Sequence, residues 1–352
     1  MTRIELLDRE AWLHDVFPEW GTYLTEEIED TEVAAGKLAM WWLTNCGVWL
    51  KTPGNANITI DFWTQRGEHT KRQLPYGEIK DAQLVRMTGA HTYPPFRRCS
   101  PHVIDPFSFT FMDAVLSTHI HGDHIDAYVA AAAVKNTDAV FFGPKLCGDL
   151  WESWGVPTER IVRMSPGESH KIKDTEIFAV ESFDRTALIT APPDGDIRGK
   201  LPPDMNERAL NYVIKTPGGT VYHSGDSHFS NGFYRHGKLY DIDVAFVSWG
   251  DNGPGITDKL TSSDTLRAGR DLNTKVLIPI HWDMWAAQQG DPTELIMLRQ
   301  LNRHQMRFKL VIWRVGGRFI FPDDQDIEKY VYPKDYGDNA TEDPNIPFPA
   351  FL

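Results

Sequence analysis

The chain has 352 residues, of which 41% are hydrophobic and 24% are charged, a composition typical of folded globular proteins. The formal net charge of −13 at pH 7 disfavours a surface that coats nucleic acid, so we expect no nucleic-acid partner. The three cysteines are odd in number and form no C-x-x-C pair, which argues against a disulfide framework and against a thiolate metal site.

The sequence also excludes a membrane protein on simple grounds of length and apolar content. No apolar run is long enough to cross a bilayer, and the first residues lack the hydrophobic stretch of a signal peptide. We therefore expect a cytoplasmic protein without a membrane partner. The chain is long enough to bury a large core, and we treat residues 1–352 as a single domain.

The N-terminal part of the chain predicts a helical segment followed by paired strands. Residues 8–32 favour a helix that is interrupted near its middle by a proline and a glycine. Residues 38–51 and 57–63 are apolar and aromatic, and the turn residues between them predict a hairpin. Residues 64–101 are polar and weakly periodic, which indicates an insertion or long loop, either a lid or a subunit contact.

The most informative stretch spans residues 117–126 and reads STHIHGDHID. The apolar run before it and the alanine-rich run after it predict the order strand, tight loop, helix. Three imidazoles and a carboxylate fall within six positions of the loop, at His119, His121, Asp123 and His124. Such ligands suit zinc, manganese or iron, and their number favours two divalent ions over one.

Further candidate ligands each follow a predicted apolar strand, and they are Asp61, Asp184, Asp226 and His281. Carboxylates and imidazoles at strand ends are what a metal site at one edge of stacked sheets requires. Because a carboxylate has two oxygens, it can bridge two cations, and Asp226 is our choice for that role. Taken singly, an aspartate after a strand is more often a turn residue, so the argument depends on the whole set.

The C-terminal half alternates short strands with helices, which predicts stacked layers and not a doubly wound parallel sheet. Residues 310–313 and 318–321 predict a last hairpin around two glycines. The tail from residue 330 to residue 352 is expected to be irregular, with an apolar end that docks on its own subunit or on a neighbour. Together with the 12 tryptophans, this tail makes a homo-oligomer the expected state.

The histidine motif resembles that of the metallo-β-lactamase superfamily, with Asp226 in a Gly-Asp-Ser context and His281 after a strand. The resemblance implies an α+β fold of four layers, an αββα sandwich, with metals at one edge of the sheets. Within the superfamily, the bacterial L-ascorbate-6-phosphate lactonases are similar along stretches that span nearly the whole chain, at residues 17–21, 39–43, 183–190, 215–219, 222–228 and 255–259. That family implies a cytoplasmic, metal-dependent hydrolase of anaerobic L-ascorbate use. It opens the lactone of L-ascorbate 6-phosphate to give 3-keto-L-gulonate 6-phosphate.

The resemblance also suggests how the ligands divide between two ions. His119, His121 and His281 are expected to hold one cation, and Asp123 and His124 the second. Asp226 is expected to bridge the two ions. Asp123 is further expected to orient the attacking water and to carry a proton to the leaving oxygen, which makes it the candidate catalytic residue.

Asp184 stands where the superfamily often has a histidine. A carboxylate there makes manganese or iron credible beside zinc, and it leaves open whether Asp184 binds metal at all. Arg185 and Arg208 are candidates for the substrate phosphate, with a structural salt bridge as the alternative for each. His228 either contacts the substrate or supports Asp226.

Two other functions remain open on the sequence alone. One is a phosphodiesterase or ribonuclease built on the same metal core, which would need a basic surface for the strand. The other is a non-catalytic, metal-stabilised regulator that binds nucleic acid. Ligands gathered at strand ends around a cleft favour an enzyme that acts on a small phosphorylated lactone.

Overall fold

Two mixed β-sheets form the centre of the fold, and each has seven strands among the described residues. The fold is taken from a computed structural model, which describes residues 2–16, 18, 24–65, 98–185, 187, 204–252, 259–285 and 289–327. Among those residues, no helix has the length and apolar character to cross a bilayer.

The first sheet has the strand order β14-β1-β2-β3-β4-β5-β6. It begins with antiparallel pairs and continues with parallel ones from β3 onward. Its strands are β1 (Leu38–Thr44), β2 (Gly47–Lys51), β3 (Asn57–Ile60), β4 (Ala114–Leu116), β5 (Val140–Gly143), β6 (Ile161–Arg163) and β14 (Arg318–Phe321).

The second sheet repeats this plan with the order β13-β12-β11-β10-β9-β8-β7. Strands β7 to β10 are antiparallel, and β10 to β13 are parallel. Its strands are β7 (Ser169–Ile172), β8 (Thr175–Glu181), β9 (Leu210–Thr216), β10 (Gly219–His223), β11 (Val244–Ser248), β12 (Val276–Ile280) and β13 (Lys309–Leu310).

Helices cover the outer faces of both sheets, which gives the four-layer αββα sandwich that the sequence predicted. Helix α4 packs on β5 and β6 of the first sheet, and helix α6 packs on β11 and β12 of the second. The helices are α1 (Arg9–Val16), α2 (Leu24–Asp30), α3 (Ala127–Asn136), α4 (Lys145–Trp154), α5 (Gly232–Leu239), α6 (Ser262–Asp271) and α7 (Pro292–Leu301).

Large aromatic side chains fill the space between the two sheets. Trp42 of β1 stacks on Trp313 at a ring distance of 6.3 Å, and Trp313 stacks on Phe246 of β11 at 5.7 Å. All three rings are almost fully buried. These rings therefore pack side chains of the first sheet against side chains of the second.

Two strand predictions differ from the structure. Residues 38–51 form two strands and not one, because Thr44 and Asn45 both adopt positive φ values (123° and 54°) and turn the chain between β1 and β2. The last predicted hairpin is wrong. Strand β13 pairs with β12 of the second sheet, whereas β14 pairs with β1 of the first, so the glycines connect two sheets.

Several predictions fall on residues outside the description, namely the middle of the 8–32 helix, most of the 64–101 insertion and the tail from residue 330. The two ends of the insertion are described, and they meet. Arg98 donates hydrogen bonds to the backbone oxygens of Gln65, Ser100 and Pro101, and its guanidinium lies 4.9 Å from the Trp63 ring. Arg98 thus links the two described ends of the insertion.

Candidate metal centre

Loops at one edge of the stacked sheets carry the candidate ligands. Strands β3, β4 and β5 are parallel in the first sheet, as are β10, β11 and β12 in the second. The loop after β4 holds residues 119–124, the turn after β10 holds Asp226, and His281 follows β12 directly. The structure therefore brings together side chains that are far apart along the chain.

The first group of ligand atoms belongs to His119, His121 and Asp226, and these atoms lie within 4.8 Å of one another. The two histidine rings are 4.3 Å apart, and the Nε2 atoms of both are buried with no hydrogen-bond partner among the described residues. Asp184 Oδ2 lies 3.7 Å from His119 Nε2, so Asp184 borders the same point. We call this group the first position.

The second group consists of Cys46, His124, Asp226 and His281, again with ligand atoms within 4.8 Å of one another. His124 Nε2 lies 3.3 Å from both His281 Nε2 and Asp226 Oδ2. His281 Nε2 lies 3.4 Å from Asp226 Oδ1. We call this group the second position, and Asp226 belongs to both positions.

The expected division of ligands therefore differs from the structure at His281. Its ring lies 5.2 Å from the ring of His124, on the side of the second position, and not with His119 and His121. The reason is the sheet order, since β12 delivers His281, which itself has a φ of 72°, beside Asp226. Sequence spacing contains no information on this pairing.

Asp123 borders the second position and is held by two donors. Its Oδ2 accepts hydrogen bonds from Trp285 Nε1 at 2.9 Å and from Asn45 Nδ2 at 3.3 Å. The same oxygen lies 3.4 Å from His281 Nε2, and Oδ1 lies 3.7 Å from His124 Nε2. These contacts orient the Asp123 carboxylate toward His124 and His281 of the second position.

Asp61, a candidate ligand on sequence grounds, lies in neither group. Its Oδ1 accepts from the Thr118 backbone N at 2.7 Å, and its Oδ2 accepts from Thr118 Oγ1 at 2.7 Å and from His124 Nδ1 at 2.8 Å. A carboxylate on one ring nitrogen leaves the other nitrogen as the ligand atom and orients the ring. Asp61 is thus an orienting residue for His124.

The turn that presents Asp226 requires a glycine at residue 225. Gly225 has φ of 48°, and a Cβ at this residue would meet the side-chain Oγ1 of Thr118 at 2.8 Å. The missing side chain lets the turn of the second sheet approach the loop of the first. Without that approach, Asp226 would not reach both groups.

The pKa values of the centre fall into two classes. Burial, together with the neighbouring His124 and His121, lowers the pKa of His119 to about 3, so this ring is uncharged at neutral pH. Burial also disfavours the charged form of His124, but the surrounding carboxylates of Asp226, Asp123 and Asp61 outweigh it and raise the pKa of His124 well above its ordinary value. The second position therefore attracts positive charge strongly.

The two aspartates of the second position show the complementary effect. Burial alone would raise the pKa of Asp226, but His124, His281 and Lys259 hold it well below its usual range. The pKa of Asp123 is lowered in the same way by His124 and His281 against the opposing effect of burial. Both side chains are therefore carboxylates at neutral pH, as metal ligands must be.

The spacing of these atoms fits a metal ion. A tetrahedral ion with bonds of about 2.0–2.1 Å to nitrogen or oxygen separates its ligand atoms by about 3.3–3.4 Å. His124 Nε2 lies 3.3 Å from His281 Nε2 and 3.3 Å from Asp226 Oδ2, and His281 Nε2 lies 3.4 Å from the other Asp226 oxygen, Oδ1. The unpartnered Nε2 atoms of the first position point to the same conclusion, because buried imidazole nitrogens need a partner.

Two residues of the centre were missed by reasoning from the sequence. Cys46 lies in the β1–β2 turn, and the sequence argued against a thiolate there. Lys259 is 4% exposed, and its Nζ lies 3.3 Å from Asp226 Oδ2. Asn252 fixes the Lys259 backbone by two hydrogen bonds of 2.9 Å. Neither residue has a spacing signal, since each is a single residue in a turn.

Arg185 lies in the segment that carries Asp184, and His228 and Arg208 each contact that segment. The backbone N of Arg185 donates to His228 Nδ1 at 3.3 Å, and the His228 backbone N donates to the Phe183 oxygen at 3.2 Å. Arg208 is 7% exposed, and its Nη1 lies 3.5 Å from the Ala187 oxygen. The structure thus gathers Arg185, Arg208 and His228 around the segment that follows β8.

Comparisons with known proteins agree with this geometry. A family profile described as "Beta-lactamase superfamily domain" matches residues 92–282. The chain is 48% identical over 358 aligned residues to the "Probable L-ascorbate-6-phosphate lactonase UlaG" of Escherichia coli O45:K1, with 100% of each chain covered. The protein with the same description from Escherichia fergusonii is also 48% identical, with 100% of each chain covered.

Solved structures show the same fold at low sequence identity. The metallo hydrolase Igni18 from Ignicoccus hospitalis superposes with a TM-score of 0.55 at 18% identity, covering 81% of this chain and 98% of that chain. The isothiocyanate hydrolase from Delia radicum gut bacteria superposes with a TM-score of 0.58 at 17% identity, covering 80% of this chain and 98% of that chain. At such identities the likeness concerns the fold alone.

Proposed function

Because the chain belongs to the β-lactamase superfamily and, within it, to the L-ascorbate-6-phosphate lactonase family, we propose that it is a divalent-metal-dependent lactonase. Its proposed reaction is hydrolysis of L-ascorbate 6-phosphate to 3-keto-L-gulonate 6-phosphate. The observation that carries the proposal is the pair of ligand groups that share Asp226 at the edge of the sandwich. We expect the enzyme to work in the cytoplasm as a homo-oligomer of one-domain subunits.

The residues of the two positions would hold two divalent ions, manganese or zinc, with iron as a further choice. His119, His121 and Asp184 serve the first position, Asp123, His124 and His281 serve the second, and Asp226 is shared between them. When bound, such ions lower the pKa of water and polarise a carbonyl oxygen, the two needs of ester hydrolysis at neutral pH. The neutral His119 and the ionised Asp226 are in the protonation states that metal binding requires.

Asp123 is the residue we assign to proton transfer. Its Oδ2 is held by Trp285 and Asn45, so the carboxylate has a fixed direction toward the centre. Asp123 is also the one of the four aspartates in the centre that is partly exposed, with 15% of its side chain accessible. A carboxylate in that place can hold the proton of an attacking water and deliver it to the ring oxygen that leaves.

The substrate phosphate is assigned to the group formed by Arg185, Arg208 and His228. Two guanidinium groups supply several donors for one phosphate, and Arg208 is already buried beside the segment that carries Asp184. A lactone that carries a phosphate could then place its phosphate on this group and its carbonyl at the metal centre, whereas an unphosphorylated lactone would lack the first contact. The Arg208→Gln variant should raise KM for L-ascorbate 6-phosphate at least about tenfold and leave turnover of an unphosphorylated lactone unchanged.

The decisive experiment is turnover by the metal-loaded protein on L-ascorbate 6-phosphate and on a panel of unphosphorylated lactones and phosphodiesters. The measurement is made with added manganese, with added zinc and after chelation. We expect hydrolysis of the phosphorylated lactone that disappears on chelation. Hydrolysis of the phosphodiesters alone would favour the nuclease alternative, and a metal-dependent rise in Tm without any turnover would favour the regulator.

Two variants test the centre within the same assay. His119→Ala removes a ligand of the first position, and Asp123→Asn removes the proposed proton carrier. Matched controls are His14→Ala and Asp241→Asn, which change the same residue types on the exposed surface. Full activity in both centre variants would end the proposal, whereas loss in the controls would show that the assay reports folding instead.

A further inference from the structure

Cys46 is the one thiol that reaches the metal centre among the described residues. It lies in the turn between β1 and β2, is fully buried, and belongs to the second position with His124, Asp226 and His281. Its Sγ lies 3.7 Å from Asp226 Oδ1. The other two cysteines belong to neither ligand group, with Cys99 exposed and Cys147 buried on helix α4.

The distance from the sulfur fits a ligand of the same ion that the imidazoles would share. A tetrahedral ion with a bond of about 2.3 Å to sulfur and about 2.0 Å to oxygen separates those two atoms by about 3.5 Å. The observed 3.7 Å is close to this value, just as the shorter distances between nitrogen and oxygen match their own. Four ligand atoms of three chemical types therefore surround one point.

The hydrogen bonds of His124 show which of its two ring nitrogens is available to an ion at this point. Its Nδ1 is engaged by the Asp61 carboxylate at 2.8 Å, so the Nε2 is the atom left for a ligand role. That Nε2 faces the Nε2 of His281 at 3.3 Å. The two nitrogens are close enough either to share a proton or to bind one metal ion, and the Sγ of Cys46 belongs to the same group of ligand atoms.

We propose that Cys46 is a thiolate ligand of the second position and that it makes this position prefer zinc, or another thiophilic ion, over manganese. The inference rests on the proposed function only in sharing its metal centre. Soft thiolate ligands select zinc, whereas carboxylates and water suit manganese. The first position offers only imidazole and carboxylate, so the two positions differ in the ion they select.

Ligation changes one covalent bond of the protein. The S–H bond of Cys46 breaks, its electron pair stays on sulfur and forms the bond to the ion, and the proton is released to solvent. The alternative role is a thiol that keeps its proton and donates it to Asp226 Oδ1, as the 3.7 Å contact permits. These two roles predict different spectra.

Cobalt(II) is the probe that separates the two roles. The metal-free full chain is titrated with cobalt, and the near-ultraviolet charge-transfer band of a cobalt–thiolate bond is recorded together with the visible ligand-field bands. We expect the charge-transfer band in the unchanged protein and in the control Cys99→Ser. We expect Cys46→Ser to lose this band while its ligand-field bands still report bound cobalt.

A competition experiment measures the selectivity. Zinc and manganese affinities are determined against a chelator of known affinity for the unchanged protein, Cys46→Ser and Cys99→Ser. Cys46→Ser should lower the zinc affinity of one of two sites by about 10–100-fold or more, with a much smaller change for manganese. Equal losses for both ions, or no loss for either, would contradict a thiolate ligand.

The outcomes separate this inference from the proposed function. Cobalt uptake with ligand-field bands but without the charge-transfer band overturns the role of Cys46 and leaves the lactonase intact. A charge-transfer band in a protein that is inactive on L-ascorbate 6-phosphate supports Cys46 and overturns the substrate. Failure of the protein to take up any cobalt overturns both.

Discussion

Two regions of the molecule bury carboxylates, and the burial has opposite consequences. At the metal centre, Asp61 is fully buried, yet its pKa is lowered, because His124, His223 and His119 outweigh the effect of burial. On helix α2, Glu27 is 4% exposed, and its pKa is raised by burial despite the Trp41 hydrogen bond and the Arg318 charge. The number of positive partners decides the sign.

The comparison teaches what distinguishes a site from a core. In the centre, carboxylates raise the pKa of His124 and histidines lower the pKa of Asp226, so each group favours the charged form of its neighbour. Glu27 has one cationic neighbour in its ion pair with Arg318, whose Nε lies 3.7 Å from the Glu27 Oε1. Substitutions in the centre should therefore change metal binding and turnover, whereas those near Glu27 should change stability alone.

The largest effect is expected for Asp226→Ala. This carboxylate belongs to both positions, so its loss should empty the centre and lower kcat/KM about 1000-fold or more, since the ions supply several kcal/mol to such a reaction. Metal content by atomic absorption should fall with activity. Retention of two ions per chain would show that neither position needs Asp226 as a ligand.

Asp61→Asn should have an intermediate effect. The amide cannot replace a carboxylate on His124 Nδ1, so metal affinity should fall about 10–100-fold at the second position, with the first position nearly unchanged. Stepwise titration with zinc against a chelator distinguishes the two. An equal loss at both positions would mean that Asp61 supports the whole loop through Thr118 and not the His124 ring in particular.

Asp61 also predicts an acid-sensitive contribution to stability. Because its pKa is lowered in the folded protein, its stabilisation is complete above the ordinary aspartate pKa of about 3.9 and is lost as the pH falls through the lowered value. The metal-free Asp61→Asn variant should therefore unfold at lower Tm than the unchanged protein at pH 7. The difference should shrink in acid, and a constant difference would contradict the lowered pKa.

Trp285→Phe should have a smaller effect, confined to Asp123. The substitution removes the indole donor to Asp123 Oδ2 and leaves Asn45 as the remaining donor to that oxygen among the described contacts. A hydrogen bond to a charged group is worth about 1.5–3 kcal/mol, so kcat should fall about tenfold or more. Metal content should stay unchanged.

Trp63→Phe is the matched control for this change. Trp63 packs on Trp285 at a ring distance of 5.3 Å, and its Nε1 is buried with no hydrogen-bond partner among the described residues. Both variants remove one indole from the same aromatic contact, but only one removes a donor to Asp123. An equal fall in kcat in the two variants would assign the effect to packing.

The spacing of residues in the sequence predicted the metal ligands, but it could not predict the residues that orient those ligands or add to them. His119, His121, Asp123 and His124 form a local pattern, and the structure brings them to the same edge as Asp226 and His281. Four residues that orient or extend that set come singly from turns or loops, and they are Asn45, Cys46, Lys259 and Trp285. Asp61 was a candidate on sequence grounds, but as a metal ligand and not as the partner of His124 Nδ1. Only the pairing of the strands places these residues.

The fold shows the same limit. Alternating strands and helices predicted the layers correctly, because the apolar patterns are local. The pairing of β13 and β14 could not be predicted, since a turn with two glycines is compatible with a hairpin and with a connection between sheets. In the structure β14 closes the first sheet against β1 and leaves β13 at the edge of the second.

The smallest effect is expected at Glu27, where the sign of the pH dependence is opposite to that of Asp61. The pKa of Glu27 is raised in the folded protein by burial, so the folded state disfavours its ionised form. Its contribution to stability is complete below the ordinary glutamate pKa of about 4.3 and is lost as the pH rises through the raised value. Glu27→Gln cannot ionise and keeps an oxygen for the Trp41 indole, which lies 3.2 Å from Oε1.

The Glu27→Gln variant should therefore match the unchanged protein in Tm near pH 4 and exceed it by about 1–3 °C at pH 7. Glu26→Gln, which alters the exposed neighbour on the same helix, is the control and should shift Tm at neither pH. Metal content and turnover should stay constant in both variants, because Glu27 lies on helix α2 and belongs to neither ligand group. A Tm difference that does not change with pH would mean that Arg318 compensates the buried charge, and the contrast with the centre would then disappear.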